Sequence, residues 1–385
     1  MKSRHWLSKA LLTATFAVAL AFGISHAWTQ AQYDEWLQWA ELGAYQPEVE
    51  DWDAILDAAH TEPPITIHVG SSRIHGSISA FNERFGLEVQ SLDFSTTEVI
   101  ERTRREFDAG NRHVGMMMVG NLALQHDLLL DRDPPALTRY VPRELEAVIN
   151  PDFTQPLLWQ RMEAGVWYVK SEDPAVTIPY ENLWELTTEP WRGLVAIADP
   201  LESGTVFDIF TAFVTHAEEM EQLYEDYFGQ PIELTTPNAG YEWIQRLFDN
   251  GVRILPSMRN VAEAVSVAEG NFVGLSASSI YRQVVEGVYD FELDRSVNPS
   301  VLTVRPLGII SLTDGPNQAK LVIRWLLSQE GGAPWWSADF PTNPAVEPTG
   351  DFDLRLDDFE TVWVSSLEDT LEVRDELLDF LIVLR

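Results

Sequence analysis

The run Ser203-Gly204-Thr205 could contact an anion, because its residue types and its position suit that role. It separates a strand predicted at 194–198 from an apolar helix. The first N–H groups of a helix lack intrahelical partners and carry partial positive charge, so hydroxyl residues there suit an oxyanion. Ser and Thr also cap helices without any ligand. The run therefore indicates either ligand contact or helix capping.

Similar residues follow other predicted strands. Serine, threonine, asparagine and arginine recur where strands end, and in a parallel sheet ligands bind beyond those ends. Hydroxyls, backbone N–H groups and arginine suit phosphate, phosphonate or carboxylate. The candidate ligand-binding residues are Ser71, Ser72, Arg73, Thr97, Asn121, Ser203, Gly204, Thr205, Ser276, Ser278, Tyr281 and Arg282.

Hydrophobic patterning predicts strands that alternate with helices. Strands are expected at 65–69, 87–92, 114–119, 166–169, 194–198, 252–255, 272–275 and 300–310. Helices are expected at 76–85, 96–109, 217–228, 239–250, 261–269, 317–328 and 366–384, with one after Ser203 and one or two short ones within 32–60. This alternation predicts an α/β fold with mostly parallel sheets flanked by helices.

The N-terminus has the pattern of an export signal. Lys2, Arg4 and Lys9 precede an apolar run at 10–24, and small residues follow. This pattern predicts a secretory signal peptide within 1–31, cleaved after Ala27 or Ala31. The alternative is a retained membrane anchor, for which the run is short. The chain has no cysteine, which excludes disulfides, thiolate metal sites and a cysteine nucleophile.

The charge balance restricts the partners. Sixty acidic and 26 basic residues give a formal net charge of −34, which argues against nucleic acid and anionic membrane surfaces. We interpret the acidic surface as solvated and suited to saline surroundings. It does not identify a ligand, because a cleft can concentrate arginine locally.

Several phrases resemble one branch of the periplasmic solute-binding proteins of ABC importers, which binds ferric ion, phosphonates or phosphorylated acids and sugars. The likeness spans about 64–335. The phrases are residues 182–205, Phe81-Asn82-Glu83-Arg84-Phe85-Gly86, residues 104–120, the run from Val261 to Leu275, and the run from Leu307 to Asn317.

The resemblance implies two α/β lobes joined by crossing strands, a ligand cleft between them, and hinge closure. It implies a periplasmic protein that delivers its ligand to an inner-membrane permease, which we expect to be a monomer without a cofactor. The expected division is a signal at 1–31, a helical extension at 32–63, a first lobe at 64–168 and 301–385, and a second lobe at 169–300.

Ferric ion is the alternative ligand. Ferric members use two adjacent tyrosines in the loop after the strand that matches 272–275, whereas this loop offers only Tyr281. His75 could match a histidine that some ferric members supply, although a lone loop histidine is more often a surface residue. We therefore expect an organic phosphate, phosphonate or related small anion first.

Two further functions were weighed. No Gly-x-Ser-x-Gly, His-Glu-x-x-His, Walker or dinucleotide pattern is present, so an exported hydrolase is disfavoured and no catalytic residue is expected. Some members of this branch report their ligand to a membrane histidine kinase, and the sequence does not distinguish such a sensor from a transport protein.

Overall fold

The computed structural model describes residues 28–335, 338–347, 352, 354–364 and 366–385. Residues 1–27 of the predicted signal peptide lie outside the described residues. Among the described helices, none combines the length and the apolar character that a membrane crossing requires.

The N-terminal segment forms two helices, α1 (Gln30–Trp39) and α2 (Trp52–Ala59). Thr29 caps α1, because its side chain accepts from the Gln32 N–H while the Gln32 side chain accepts from the Thr29 N–H. Tyr33, Trp36 and Ile55 are buried in the core that also contains the first strand. Two short helices therefore pack on this part of the protein, where the sequence predicted one or two.

The next elements alternate as predicted. They are β1 (Thr66–Val69), α3 (Ile74–Phe85), β2 (Gln90–Asp93), α4 (Thr96–Asp108), β3 (Val114–Met118), α5 (Leu122–Gln125), β4 (Leu137–Thr138) and α6 (Arg143–Glu146). Strand β1 pairs in parallel with both β2 and β3. The loops after β1 and β3 therefore end at the same edge of the sheet.

The chain then passes from this first group of parallel strands towards a second group on β5 (Leu158–Lys170). This strand is longer than the predicted strand 166–169. The charged and polar residues in its first half hide the strand pattern. The following elements are β6 (Val195–Ala198), α7 (Gly204–Thr215), α8 (Ala217–Phe228), α9 (Ala239–Asp249), β7 (Arg253–Leu255), α10 (Met258–Ser266), β8 (Phe272–Ala277), α11 (Tyr281–Val285) and β9 (Glu292–Leu293). Strand β6 pairs in parallel with β7 and β8.

The return crossing is β10 (Ser300–Ile310), with the predicted bounds. It is followed by α12 (Pro316–Leu326), α13 (Gln329–Gly332), β11 (Phe340–Pro341), β12 (Val362–Trp363) and α14 (Leu367–Leu384). Strand β10 pairs antiparallel with β3 and β5, and β5 pairs antiparallel with β8. The main sheet order is β2-β1-β3-β10-β5-β8-β6-β7, so two crossing strands join two parallel halves.

Two hydrophobic cores flank the crossing strands. The first surrounds β1, β3 and α12, and the second surrounds β6, β8, α7 and α9. We call the elements around these cores the first and second lobes. The α/β fold class is confirmed.

The C-terminal helix differs from expectation. Helix α14 was expected to complete the first lobe, but Leu377 and Leu381 are buried in the second core. Phe380 also packs edge-on against Tyr241 of α9 at 5.0 Å between ring centroids. The amphipathic pattern of 366–384 predicted a helix with a buried side, but it carried no signal for which core would cover that side.

A glycine sets the close approach of α7 and α9. A Cβ atom on Gly240 would lie 2.1 Å from the Phe213 carbonyl oxygen, whereas a Cβ on Gly76 of α3 would meet no heavy atom within 4 Å.

We expect Gly240→Ala to lower the free energy of unfolding by about 2 kcal/mol or more. Gly76→Ala should instead raise it by about 0.5–1 kcal/mol, because alanine favours helix. Urea unfolding of both variants measures this, and equal effects would contradict the packing described.

Candidate functional site

Charged side chains meet at the middle of the crossing strands. Glu163 of β5 pairs with the Arg305 guanidinium of β10. The same guanidinium donates to the Thr205 hydroxyl in the first turn of α7, at 3.0 Å. A Cβ atom on Gly120 would lie 2.8 Å from Arg305 Nη1, so glycine there leaves room for this arginine.

Two more arginines complete the group. Arg73, directly before α3, donates to Asp339 Oδ2 at 2.8 Å, and its Nη2 lies 4.0 Å from Glu163 Oε1. Arg161 of β5 donates to the same Asp339 oxygen at 3.0 Å. We call Arg73, Arg161, Arg305, Glu163 and Asp339 the arginine cluster.

An indole helps to place two of these arginines. Trp335 is fully buried, with the Arg73 guanidinium 5.0 Å and the Arg161 guanidinium 4.1 Å from its ring centroid. Such cation–π contacts stabilise partly desolvated arginine. The Trp335 contact therefore fixes Arg73 and Arg161 beside Asp339.

The cluster carries one formal positive charge when both carboxylates are ionised, from three guanidiniums and two carboxylates. Burial raises the pKa of Glu163, but Arg305, Arg161 and Arg73 outweigh it and bring the pKa to about 2. Burial lowers the pKa of Arg161 to about 10, against the opposing effect of Asp339. Burial raises the pKa of Asp339, against the opposing effect of Arg73. Glu163 is therefore an anion throughout the physiological pH range.

The beginnings of two helices meet beside the cluster. A Cβ atom on Gly204, the first residue of α7, would lie 3.0 Å from the Thr96 methyl group at the start of α4 and 3.4 Å from Asn121 Cβ. The second lobe therefore touches the first lobe here. Ser203 accepts from the Val206 N–H at 3.4 Å and Asn121 from the Leu124 N–H at 3.0 Å, so both side chains act as helix caps.

The structure gathers part of the predicted set around the cluster. Arg73 and Thr205 contact its members directly, and Gly204 and Asn121 contact each other next to it. The Ser278 hydroxyl accepts at 3.1 Å from the N–H of Ala164, which is the residue after Glu163.

Other predicted residues have separate partners. The Ser276 hydroxyl is buried and donates to the Met258 carbonyl at 3.2 Å, and the Tyr281 hydroxyl accepts from Arg295 at 3.0 Å. Arg282 lies 3.9 Å from Glu286 of its own helix. Thr97 and Ser72 are exposed and Ser71 is half-buried, with the Ser71 and Ser72 carbonyls accepting from the turn that begins α3.

The two residues proposed for ferric ion have different neighbours. His75 contacts Ser91 at 2.7 Å through Nδ1 and Asp93 at 2.9 Å through Nε2, whereas Tyr281 contacts Arg295. Within the described part of the chain, no group of three or more His, Asp or Glu residues is arranged to hold a metal ion.

Four members of the arginine cluster were missed by the sequence analysis: Arg161, Glu163, Arg305 and Asp339. Three of them stand on crossing strands, whereas the expected ligand-binding positions were loops at strand ends. The available signal was the charged residues inside otherwise apolar runs, QRMEAGVWYV and LTVRPLGII. Charges inside a buried strand must be paired or functional.

Asp208 lies one helical turn after Thr205. Burial raises the pKa of its carboxyl group to about 7, against the opposing effect of Arg305. It lines a cavity of about 630 Å³ between α5, β10 and the residues at the beginning of α14. This carboxyl group therefore lies between elements of both lobes, close to Arg305 of the cluster.

The raised pKa of Asp208 gives a testable pH dependence. An unfolded aspartate ionises near pH 4, so between about pH 4 and pH 7 only the unfolded chain has released this proton. The free energy of unfolding falls across that window as pH rises. We expect Asp208→Asn to stabilise the protein by about 2 kcal/mol more at about pH 8 than at about pH 5, measured by urea unfolding. Asp226→Asn, on the exposed side of α8, is the control, and an equal gain at both pH values would refute the assignment.

Comparisons with known proteins establish the fold. The chain has the type II periplasmic-binding-protein fold, and the resemblance seen in the sequence is confirmed at that level. No protein-family model and no curated protein matches the sequence.

Solved structures of three binding proteins illustrate the match. Iron-bound HitA from Pseudomonas aeruginosa is 16% identical, with 83% of this chain and 99% of that chain covered and a TM-score of 0.62. AfuA from Actinobacillus pleuropneumoniae, with fructose-6-phosphate bound, is 17% identical, with 83% and 96% covered and a TM-score of 0.63. The substrate-binding protein of an ABC transporter from Agrobacterium tumefaciens is 16% identical, with 86% and 97% covered and a TM-score of 0.61.

Proposed function

We propose that this protein is the periplasmic solute-binding protein of an ABC importer. It captures a small anion, an organic phosphate, phosphonate or similar compound, and delivers it as a monomer to an inner-membrane permease. The observation that carries the proposal is the arginine cluster, at the crossing strands of a periplasmic-binding-protein fold.

The electrostatics of the cluster favour an anion over a metal cation. Three guanidiniums and two carboxylates leave one positive charge in a chain whose net charge is −34. Arg73 is 19% exposed and Arg305 13%, so a ligand can reach them while solvent screening stays low. Sugar phosphate in AfuA is a precedent for this ligand class on the same fold.

We expect hinge closure because the residues of the arginine cluster and its neighbours come from both lobes. Arg73 comes from the first lobe, Thr205 from the second, and Arg305 from a crossing strand. A ligand that bonds to both lobes binds the closed state more tightly than the open state and shifts the population towards it. The contact of Gly204 with Thr96 and Asn121 supports a closed arrangement of this kind.

Export to the periplasm rests on the signal-like N-terminus, and α1 favours one cleavage point. Cleavage after Ala31 would remove the Thr29 cap and the first two residues of α1, whereas cleavage after Ala27 leaves Trp28, whose indole donates to the Phe107 carbonyl at 3.2 Å. We expect Trp28 at the mature N-terminus. Sequencing of the exported protein tests this, and a mature chain beginning at Gln32 would contradict it.

Substitution of Arg73 tests the ligand site. A thermal-shift screen of the mature protein against sugar phosphates, phosphonates, phosphoglycerates and ferric citrate identifies the ligand class, since binding to the folded state raises the melting temperature. We expect Arg73→Gln to weaken binding of the anion found by at least ~10-fold, because a charge-assisted hydrogen bond is lost.

Arg84→Gln is the matched control, since it removes the same charge from the exposed last turn of the same helix. Equal affinities of the two variants would refute the site. A response to ferric citrate alone, with a visible phenolate absorption lost in Tyr281→Phe, would favour the iron alternative. Release of inorganic phosphate from a bound ester would instead indicate an enzyme.

A further inference from the structure

The Glu163 carboxylate already occupies a point where anion-binding donors converge. The Arg305 guanidinium pairs with it, and Arg73 Nη2 lies 4.0 Å away. These donors come from a crossing strand and from the first lobe, and the Ser279 side chain of the second lobe also lowers the pKa of Glu163. Glu163 is only 7% exposed, so water does not replace them.

These donors are also the ones that the proposed function assigns to a ligand. An incoming anion cannot use the Arg305 and Arg73 guanidiniums fully while Glu163 holds them, because two anions at one point repel each other. Either the ligand remains outside the pair, or it takes the position of the carboxylate.

We propose that Glu163 is an internal substitute for the ligand's anionic group, which the ligand must displace, so that the site selects doubly charged anions such as phosphate monoesters and phosphonates over carboxylates. This inference rests on the proposed function and names the ligand class of the same site.

A charge count gives the reason for this selectivity. Within the arginine cluster, with Glu163 turned towards solvent, three guanidiniums and Asp339 leave two positive charges. The neighbouring Asp208 cancels one of them only above its pKa of about 7. A carboxylate ligand restores only the single negative charge that Glu163 had supplied, and therefore gains little from the exchange. A phosphate monoester carries up to two negative charges near neutral pH and compensates the site fully.

If Glu163 instead bound the ligand directly, its substitution would have the opposite effect on affinity. A carboxylate that accepts a hydrogen bond from a ligand hydroxyl stabilises the complex, so its loss weakens binding. A carboxylate that competes with the ligand destabilises the complex, so its loss strengthens binding. The isosteric substitution Glu163→Gln distinguishes the two roles.

The first experiment titrates inorganic phosphate into the wild-type protein and into Glu163→Gln at about pH 8 by calorimetry. We expect Glu163→Gln to bind phosphate on the order of 10-fold more tightly, since one competing charge is removed within a few ångströms. Glu172→Gln is the control, because it removes the same charge from an exposed position beyond the end of β5. Unchanged or weaker binding to Glu163→Gln would overturn the inference.

The second experiment uses the wild-type protein and does not depend on whether the variant folds. At about pH 5.5 sulfate is a dianion, whereas inorganic phosphate of similar shape is mostly a monoanion. We expect sulfate to bind roughly 10-fold more tightly than phosphate there, and the two affinities to converge at about pH 8.5. Equal affinities at the lower pH would overturn the inference and leave the proposed function standing. Binding of neither anion to either protein would instead contradict the proposed function.

Discussion

The pairing of buried charge at the crossing strands is the constraint on which the site depends. A carboxylate in the middle of a buried strand is costly unless cations and hydrogen bonds surround it. Glu163 meets this requirement through Arg305 on the neighbouring strand and Arg73 from the first lobe. Arg305 in turn reaches Thr205 in the second lobe. This charge pairing therefore brings residues from both lobes and from the crossing strands together at one place.

The overall charge and the local charge of this protein have opposite signs, and they act over different distances. A net charge of −34 repels anions in bulk solution, but salt screens that repulsion beyond about 10 Å at moderate ionic strength. The cluster acts at contact distance in a partly dry environment, where screening is weak. For the anionic ligand that we propose, the acidic surface would therefore influence the rate of arrival more than the affinity of the site.

The fold could be predicted largely from the sequence, because its elements are long and periodic. Helix α8 has the predicted bounds, because Gly229 in the left-handed conformation ends it, and helix α9 ends one residue earlier than predicted. Of the residues that contact one another in the candidate site, only some belonged to the predicted set. Arg73 and Thr205 stood in loops that the βαβ pattern placed at the cleft, whereas Glu163 and Arg305 stood inside strands, where side-chain pairing depends on antiparallel register. That register is a long-range property which local patterns do not encode.

The C-terminal helix bears on the hinge closure that we propose. Helix α14 is fixed to the second lobe by Leu377 and Leu381 and by an ion pair of 2.7 Å between Arg385 and Asp199. Towards the first lobe it has the Arg374–Asp127 pair at 3.1 Å, and Leu367 packs against the first core. A partly exposed ion pair contributes only about 0–1 kcal/mol. The cavity of about 630 Å³ at the beginning of the helix also leaves the space towards α5 incompletely filled. In the cleft opening that we propose, helix α14 would therefore move with the second lobe, and breaking its contacts with the first lobe would cost much less than separating the arginine cluster.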